Sequence, residues 1–299
     1  MGGLAFVFSG QGDQFPGMGK NLFDTYKEAQ SVFETCDRLR PNTSYQCFRG
    51  TAEELMETET TQPCLFAMEY AAAKTLMSKG IMPHRVAGFS LGEVVAATCA
   101  GLYDLDSGFE LVCKRGILMQ LAAGKHDTLM AAVLRLENKQ VISLCERYSN
   151  VYPVNFNCPG QVSVSGSAEQ MKDFLSDVKK AGGYTVPLKV KGAFHSPYME
   201  EAEAAFREEL KRFPTKQAKI PLYSDMTAKE YTEDVVSLLS QQISHPVKWE
   251  ALIRNMITDG IDTFIEIGPG KTLTNMIRKI DGSVKTLSIE QSLAEVEKS

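Results

Sequence analysis

Residues Gly88-Phe89-Ser90-Leu91-Gly92 match the pattern G-x-S-x-G. In that pattern a strand, a strained residue and the start of a helix are packed into five positions, and small residues are needed for the chain to fit. The serine then projects above the edge of a sheet. The N–H groups at the following helix start favour negative charge developing beside it. The chemistry implied is nucleophilic attack by a hydroxyl. Val86-Ala87 before the pattern and the small-residue run after it supply the strand and helix it requires.

A serine nucleophile needs a base, and the sequence holds four histidines. His84 follows Pro83 in a loop, His126 lies in the polar junction Lys125-His126-Asp127, and His245 precedes Pro246, which restricts it to extended backbone. His195, in Gly192-Ala193-Phe194-His195-Ser196-Pro197, stands in a loop between two differently patterned regions. Loops of that kind are where catalytic groups concentrate, so His195 leads. Two further glycine-rich stretches bind neither dinucleotide nor ATP by the usual patterns. Phe15 occupies the third glycine position after Gly10-Gln11-Gly12, and Ile265 the first glycine position before Gly270-Lys271-Thr272. Both follow predicted strands and belong at the same sheet edge as Ser90. Arg115 lies within a strongly apolar helix, residues 110–119. By itself that pattern favours an arginine snorkelling to the surface over one that grips a carboxylate with two parallel hydrogen bonds.

Short apolar runs alternate with longer helical patterns around these residues. Strands are expected at residues 4–9, 85–88 and 263–267, and helices at 61–76, 92–102 and 272–280. That order predicts an α/β core on a largely parallel sheet. The middle reads strand 129–136, helix 137–148, strands 154–157 and 161–165 about a Cys158-Pro159-Gly160 turn, helix 167–181 capped by Ser167, and strand 184–190. This β-α-β-β-α-β order is ferredoxin-like. The expected organisation is a large α/β domain of residues 1–126 and 192–299 carrying an inserted small domain at 127–191. The polar end after Ile289 is expected to fray.

The 299 residues carry 43% apolar side chains and a net charge of −5. That suits a globular protein with a sizeable core and gives no global basic field for nucleic acid. No apolar run is long enough to span a membrane. The opening Leu4-Ala5-Phe6-Val7-Phe8 is too short for a signal-peptide core and reads as a buried strand, and Phe6 stands where a myristoylation motif wants Ser or Thr. Seven scattered cysteines without a CxxC pair point to free thiols in a reducing cytoplasm, and away from structural zinc.

Taken together, several segments resemble the malonyl-CoA:acyl carrier protein transacylases and the acyltransferase domains of polyketide synthases. They are Phe8-Ser9-Gly10-Gln11-Gly12, Thr61-Gln62-Pro63, Gly88-Phe89-Ser90-Leu91-Gly92-Glu93, the Arg115 helix, residues 155–161 (Asn155-Phe156-Asn157-Cys158-Pro159-Gly160-Gln161), Gly192-Ala193-Phe194-His195-Ser196 and Glu266-Ile267-Gly268-Pro269-Gly270, in order along the chain. The resemblance implies a large α/β-hydrolase-like domain with a ferredoxin-like insertion. It implies Ser90 as nucleophile, His195 as base, the backbone N–H groups of Gln11 and Leu91 as oxyanion hole, and Arg115 as clamp for the malonate carboxylate. Gln62 is implied to lie near the acyl group, and a main-chain carbonyl near Gln242 to orient His195. Phe194 is implied to select malonyl over branched groups. The implied substrates are malonyl-CoA and the phosphopantetheine thiol of an acyl carrier protein, with no cofactor or metal, in a monomer. Lys189, Lys191 and Lys271 are the expected basic patch for an acidic carrier. Phe89 departs from the histidine usual before the nucleophile, and Ser9 from the common proline. The competing reading is a serine hydrolase, with Asp104, Asp106 or Asp127 as the triad acid.

Overall fold

The computed structural model describes residues 2–296 except Lys191 and Glu233. Lys191 of the expected basic patch therefore lies outside the described residues. Two sheets organise them. The first holds five parallel strands: β1 (Gly3–Phe8), β2 (Arg85–Gly88), β7 (Leu222–Tyr223), β8 (Ile261–Ile267) and β9 (Lys285–Ser288), in the spatial order β7-β2-β1-β8-β9. The second is antiparallel: β3 (Thr128–Leu134), β4 (Val151–Cys158), β5 (Gln161–Ser167) and β6 (Tyr184–Pro187), in the order β4-β5-β3-β6.

The parallel sheet is covered on both faces, as βα crossovers require. In β1 the side chains of Phe6 and Phe8 enter one core and those of Ala5 and Val7 the other. The first core is built with the helices Lys27–Leu39, Thr58–Ser78, Gly92–Cys99 and Leu105–Ala123, and the second with Trp249–Thr258 and Thr272–Ile280. In the antiparallel sheet Ala131 and Val133 pack beneath the helices Asn138–Cys145 and Ala168–Lys180. Met130 and Ala132, on the opposite face, line a cleft against the parallel sheet. One period-two strand thus supplies both a core and a cleft wall.

Several boundaries differ from the sequence reading. The last strand of the small region ends at Pro187 rather than 190, and Leu188 and Val190 line the cleft instead. The helix expected over 92–102 ends at Cys99, because Gly101 turns the chain at φ 86° and the N–H of Leu102 returns to the carbonyl of Ala97. The end expected to fray is helical over Ile289–Val296. Ile289 and Leu293, four residues apart, are buried against the first core, while Glu290, Gln291 and Glu295 stay exposed. Helices at Lys20–Thr25, Lys27–Leu39, Glu200–Leu210 and Trp249–Thr258 were not legible from the motifs.

The crossing of β2 with the helix at Gly92–Cys99 places the site. A Cβ on Gly88 would stand 1.9 Å from the carbonyl carbon of Gly92, and one on Gly92 would stand 2.4 Å from the carbonyl oxygen of Phe8. No side chain fits either position, so strand and helix meet backbone to backbone. Gly88→Ala should lower stability by about 3 kcal/mol. Gly124→Ala, whose Cβ would meet nothing nearer than 3.6 Å, should stay within about 0.5 kcal/mol of the parent. Urea unfolding of both variants checks the contrast, and equal midpoints would show the crossing to be looser than drawn.

Candidate active site

The carboxyl ends of β2, β1 and β8 lead into three loops: Ser90, Gly10-Gln11-Gly12 and Gly268-Pro269-Gly270. β1 is the central strand, and the chain runs outward from it in both directions. This is the switch point where open α/β sheets bind ligands. A cleft of about 260 Å³ opens there, closed from above by the antiparallel sheet. Ser90, His195, Gln11, Leu91, Gln62, Arg115 and Phe194 all line it.

Ser90 holds the left-handed conformation at φ 55°, which costs a non-glycine residue about 1–3 kcal/mol and which the surroundings must enforce. Its Oγ lies 2.8 Å from His195 Nε2. His195 Nδ1 lies 2.8 Å from the main-chain carbonyl of Gln242. That carbonyl can only accept, so Nδ1 carries the proton and Nε2 is free to take one from Ser90. None of the other histidines lines this cleft. His84 accepts the N–H of Leu4, His126 packs on Tyr198, and His245 sits against Ser244 and Gln241. None of the three acids a hydrolase triad would call on lines the cleft: Asp104 caps the Leu105–Ala123 helix and pairs with Lys216, Asp106 pairs with Arg38, and Asp127 precedes β3, where its carbonyl accepts the N–H of Ala168.

Arg115 does not snorkel; it is fully buried. It donates to Gln62 Oε1 at 2.9 Å, Gln242 Oε1 at 2.7 Å and Ser90 Oγ at 3.3 Å. All three acceptors are neutral. Its Nε has no partner among the described residues. Burial lowers its pKa to about 10, so it remains a cation at neutral pH. Sequence alone pointed the other way because an arginine in an apolar helix looks the same whether its head meets water or a neighbouring element.

The N–H groups of Gln11 and Leu91 donate to no protein acceptor among the described residues. Gln62 Nε2 rests on Met119 Sδ at 3.3 Å. Phe194 is 7% exposed. Phe89 packs edge-on against the buried Trp249, ring centroids 5.5 Å apart. The Ser9 hydroxyl donates to the buried Glu69, tying the Gly10-Gln11 turn to the Thr58–Ser78 helix.

Two features escaped the motif reading. Gln242 acts through its side chain as well as its carbonyl: Oε1 accepts from Arg115 while Nε2 donates to the carbonyl of Ser90 at 2.6 Å. Beneath the serine lies a buried acid pair, Glu93 and Asp225. Asp225 Oδ2 accepts the N–H of Ser90 at 2.7 Å, and Glu93 accepts from Tyr231 and from the N–H of Asp225. Burial, and then for Asp225 the neighbouring Glu93, raises both carboxyls above the usual carboxylate range. Glu93 was visible as the residue closing the serine motif; Asp225 stands alone in sequence and carried no signal.

Residues 5–298 match the family model "Acyl transferase domain". The chain is 36% identical to the malonyl CoA-acyl carrier protein transacylase of Bacillus subtilis (strain 168), covering 97% of this chain and 94% of that protein. It is 36% identical to a polyketide biosynthesis malonyl CoA-acyl carrier protein transacylase of Bacillus velezensis, covering 93% and 96%. The crystal structure of the malonyl CoA-acyl carrier protein transacylase from Clostridium perfringens superposes with a TM-score of 0.95 at 33% identity, over 99% of this chain and 96% of that one. With its parallel sheet, separate antiparallel sheet and serine–histidine cleft, the chain belongs to the acyl transferase domain family. It is an acyltransferase.

Burial first, and then the charge of Arg115, lower the His195 pKa to about 4. The imidazole is therefore neutral through the physiological range. The acid limb of kcat/KM, which reports the free enzyme, should fall near pH 4 and not near the ordinary 6.5. An unfolded chain protonates this histidine near 6.5 and the folded one near 4. Between those values the unfolded state binds more protons, and stability from this group rises with pH. A pH–rate profile for acylation checks the first point. A limb at 6 or above would mean that the free histidine is not desolvated.

Proposed function

We propose that this acyltransferase moves a malonyl group from malonyl-CoA to the phosphopantetheine thiol of an acyl carrier protein through an ester on Ser90. One observation carries the reading: a hydroxyl oxygen 2.8 Å from a neutral imidazole lies 3.3 Å from a buried guanidinium that has no anion. The relatives are malonyl CoA-acyl carrier protein transacylases, in agreement with it.

His195 Nε2 takes the Ser90 proton as Oγ attacks the thioester carbon. The carbonyl oxygen, now an anion, is met by the unused N–H groups of Gln11 and Leu91, each such donor being worth about 3–4 kcal/mol. The intermediate collapses, and the sulfur of coenzyme A leaves with the proton from His195. The carrier's thiol then gives its proton to His195 and attacks the ester, and Ser90 departs reprotonated. Thioester, ester and thioester follow one another, so the sequence needs no ATP or metal. Arg115 holds the acyl carboxylate by charge-assisted hydrogen bonds. In doing so it offsets the charge that depresses His195, so the base strengthens once the acyl group is seated.

In this reading a large α/β-hydrolase-like domain, residues 1–126 and 192–299, carries a ferredoxin-like insertion at 127–191 that roofs the cleft. Lys189 and Lys271 are exposed and are proposed as docking contacts for the acidic carrier. The hydrolase alternative is disfavoured, because His195 is oriented by a carbonyl and the cleft keeps a cation for an acyl carboxylate.

Incubation with malonyl-CoA should add one malonyl group to the intact protein by mass spectrometry, and Ser90→Ala should remove the adduct. Labelling that persists in that variant would refute the nucleophile. Arg115→Ala should reduce the malonyl-to-acetyl ratio of kcat/KM about 10- to 100-fold, the value of a charged hydrogen-bonded pair. Phe194→Ser should relax only the discrimination against methylmalonyl-CoA. Competition between paired thioesters measures both ratios. An unchanged malonyl-to-acetyl ratio in Arg115→Ala would remove the clamp.

A further inference from the structure

We propose that Asp225 is a positioning residue for acyl transfer: by accepting the N–H of Ser90, its carboxyl group holds the strained backbone of the nucleophile so that Oγ stays against His195. The inference rests on the reading of Ser90 as nucleophile.

Both polar backbone groups of Ser90 are gripped by side chains from the far end of the sequence. The N–H donates to Asp225 Oδ2 at 2.7 Å, and the carbonyl accepts from Gln242 Nε2 at 2.6 Å. The second contact continues into the rest of the cleft, since Gln242 also meets Arg115 and His195. The first ends in Asp225, which is itself fixed. Its residue follows β7, the strand beside β2. Its N–H donates to Glu93 Oε2 at 3.0 Å, and its carbonyl accepts the N–H of Lys248 at 2.6 Å. Asp225 is fully buried, and its other carboxyl oxygen, Oδ1, has no partner among the described residues. A buried acid with one unsatisfied oxygen costs stability, so packing alone does not account for it. Its satisfied oxygen faces a residue whose φ of 55° needs an external restraint.

Asp225 and Glu93 are both reached by Gln242 Nε2, at 3.3 and 3.2 Å. Burial raises both carboxyls above the usual range, and the neighbouring Glu93 raises Asp225 further, which disfavours two full charges side by side. What Ser90 requires from Asp225 is consequently an acceptor oxygen and not a full charge. An asparagine supplies that oxygen and an alanine does not.

The test measures malonyl transfer from malonyl-CoA to holo acyl carrier protein by the full-length chain. Asp225→Ala should lower kcat at least tenfold, since a displacement of about 1 Å at a reacting atom costs up to 100-fold. The KM for malonyl-CoA should stay within threefold, because Arg115 and the cleft walls are untouched. Asp225→Asn should restore kcat to within threefold of the parent, which a purely space-filling role would not explain if the two variants unfold at the same temperature. Retention of more than half of kcat in Asp225→Ala overturns the proposal, as does a loss beyond tenfold in Asp225→Asn. The second criterion stands even if the alanine variant fails to fold. Ser90→Ala in the same assay separates the two readings. Transfer that survives it defeats the nucleophile assignment, whereas an inactive Ser90→Ala beside a fully active Asp225→Ala defeats the positioning role alone.

Discussion

A guanidinium removed from water without an anion of its own sets the terms for everything around it. Arg115 donates to the oxygens of two glutamines and a serine. Each is neutral and each comes from a different part of the chain. An ion pair within the protein would have been a tighter resting partner, but it would have left nothing for a substrate carboxylate to gain. The nearby negative charge is held one layer back, in Glu93 and Asp225, where it moderates the cation without touching it. The same cation helps keep His195 neutral.

The fold makes this arrangement affordable by separating the burdens of stability and chemistry. The parallel sheet has a dry core on each face, with alternate residues of β1 feeding them. Some strain and some unsatisfied polar atoms lie at its carboxyl edge: Ser90 and His195 both have positive φ, and Arg115 Nε and Asp225 Oδ1 lack partners among the described residues. Local rules of sequence–structure agreement are expected to fail at functional sites, and Ser90, His195 and Arg115 meet in one cleft. The antiparallel sheet completes it from above, presenting Met130 and Ala132 on the face that its own core leaves free.

The departures noted in the sequence fit without disturbing the reacting atoms. Phe89 turns toward Trp249, where an aromatic edge is a suitable neighbour. Ser9 replaces the stiffness of a proline with a hydrogen bond to Glu69, whose carboxyl is pushed well above the usual range by burial. In both cases a loop bordering the cleft is held by a contact to the core.

The sequence by itself determined the parts that depend on local geometry. The glycines at 88 and 92 declared a backbone crossing, β1, β2 and β8 announced themselves by apolar runs while the short edge strands β7 and β9 did not, and the loops at Gly10, Ser90 and Gly268 were assigned to one sheet edge by the α/β pattern. The ordered set of motifs pointed to the family. Tertiary structure alone decided what Arg115 faces, because an apolar helix buries its arginine or exposes it according to what packs against it. It also decided that Gln242 touches Ser90, His195 and Arg115 together, and that Asp225, 135 positions from Ser90 in the chain, lies under the serine N–H. Contacts between residues so far apart follow from strand order and from the way the two sheets face each other. Neither leaves a periodic or local trace that a reader of residues in line could follow.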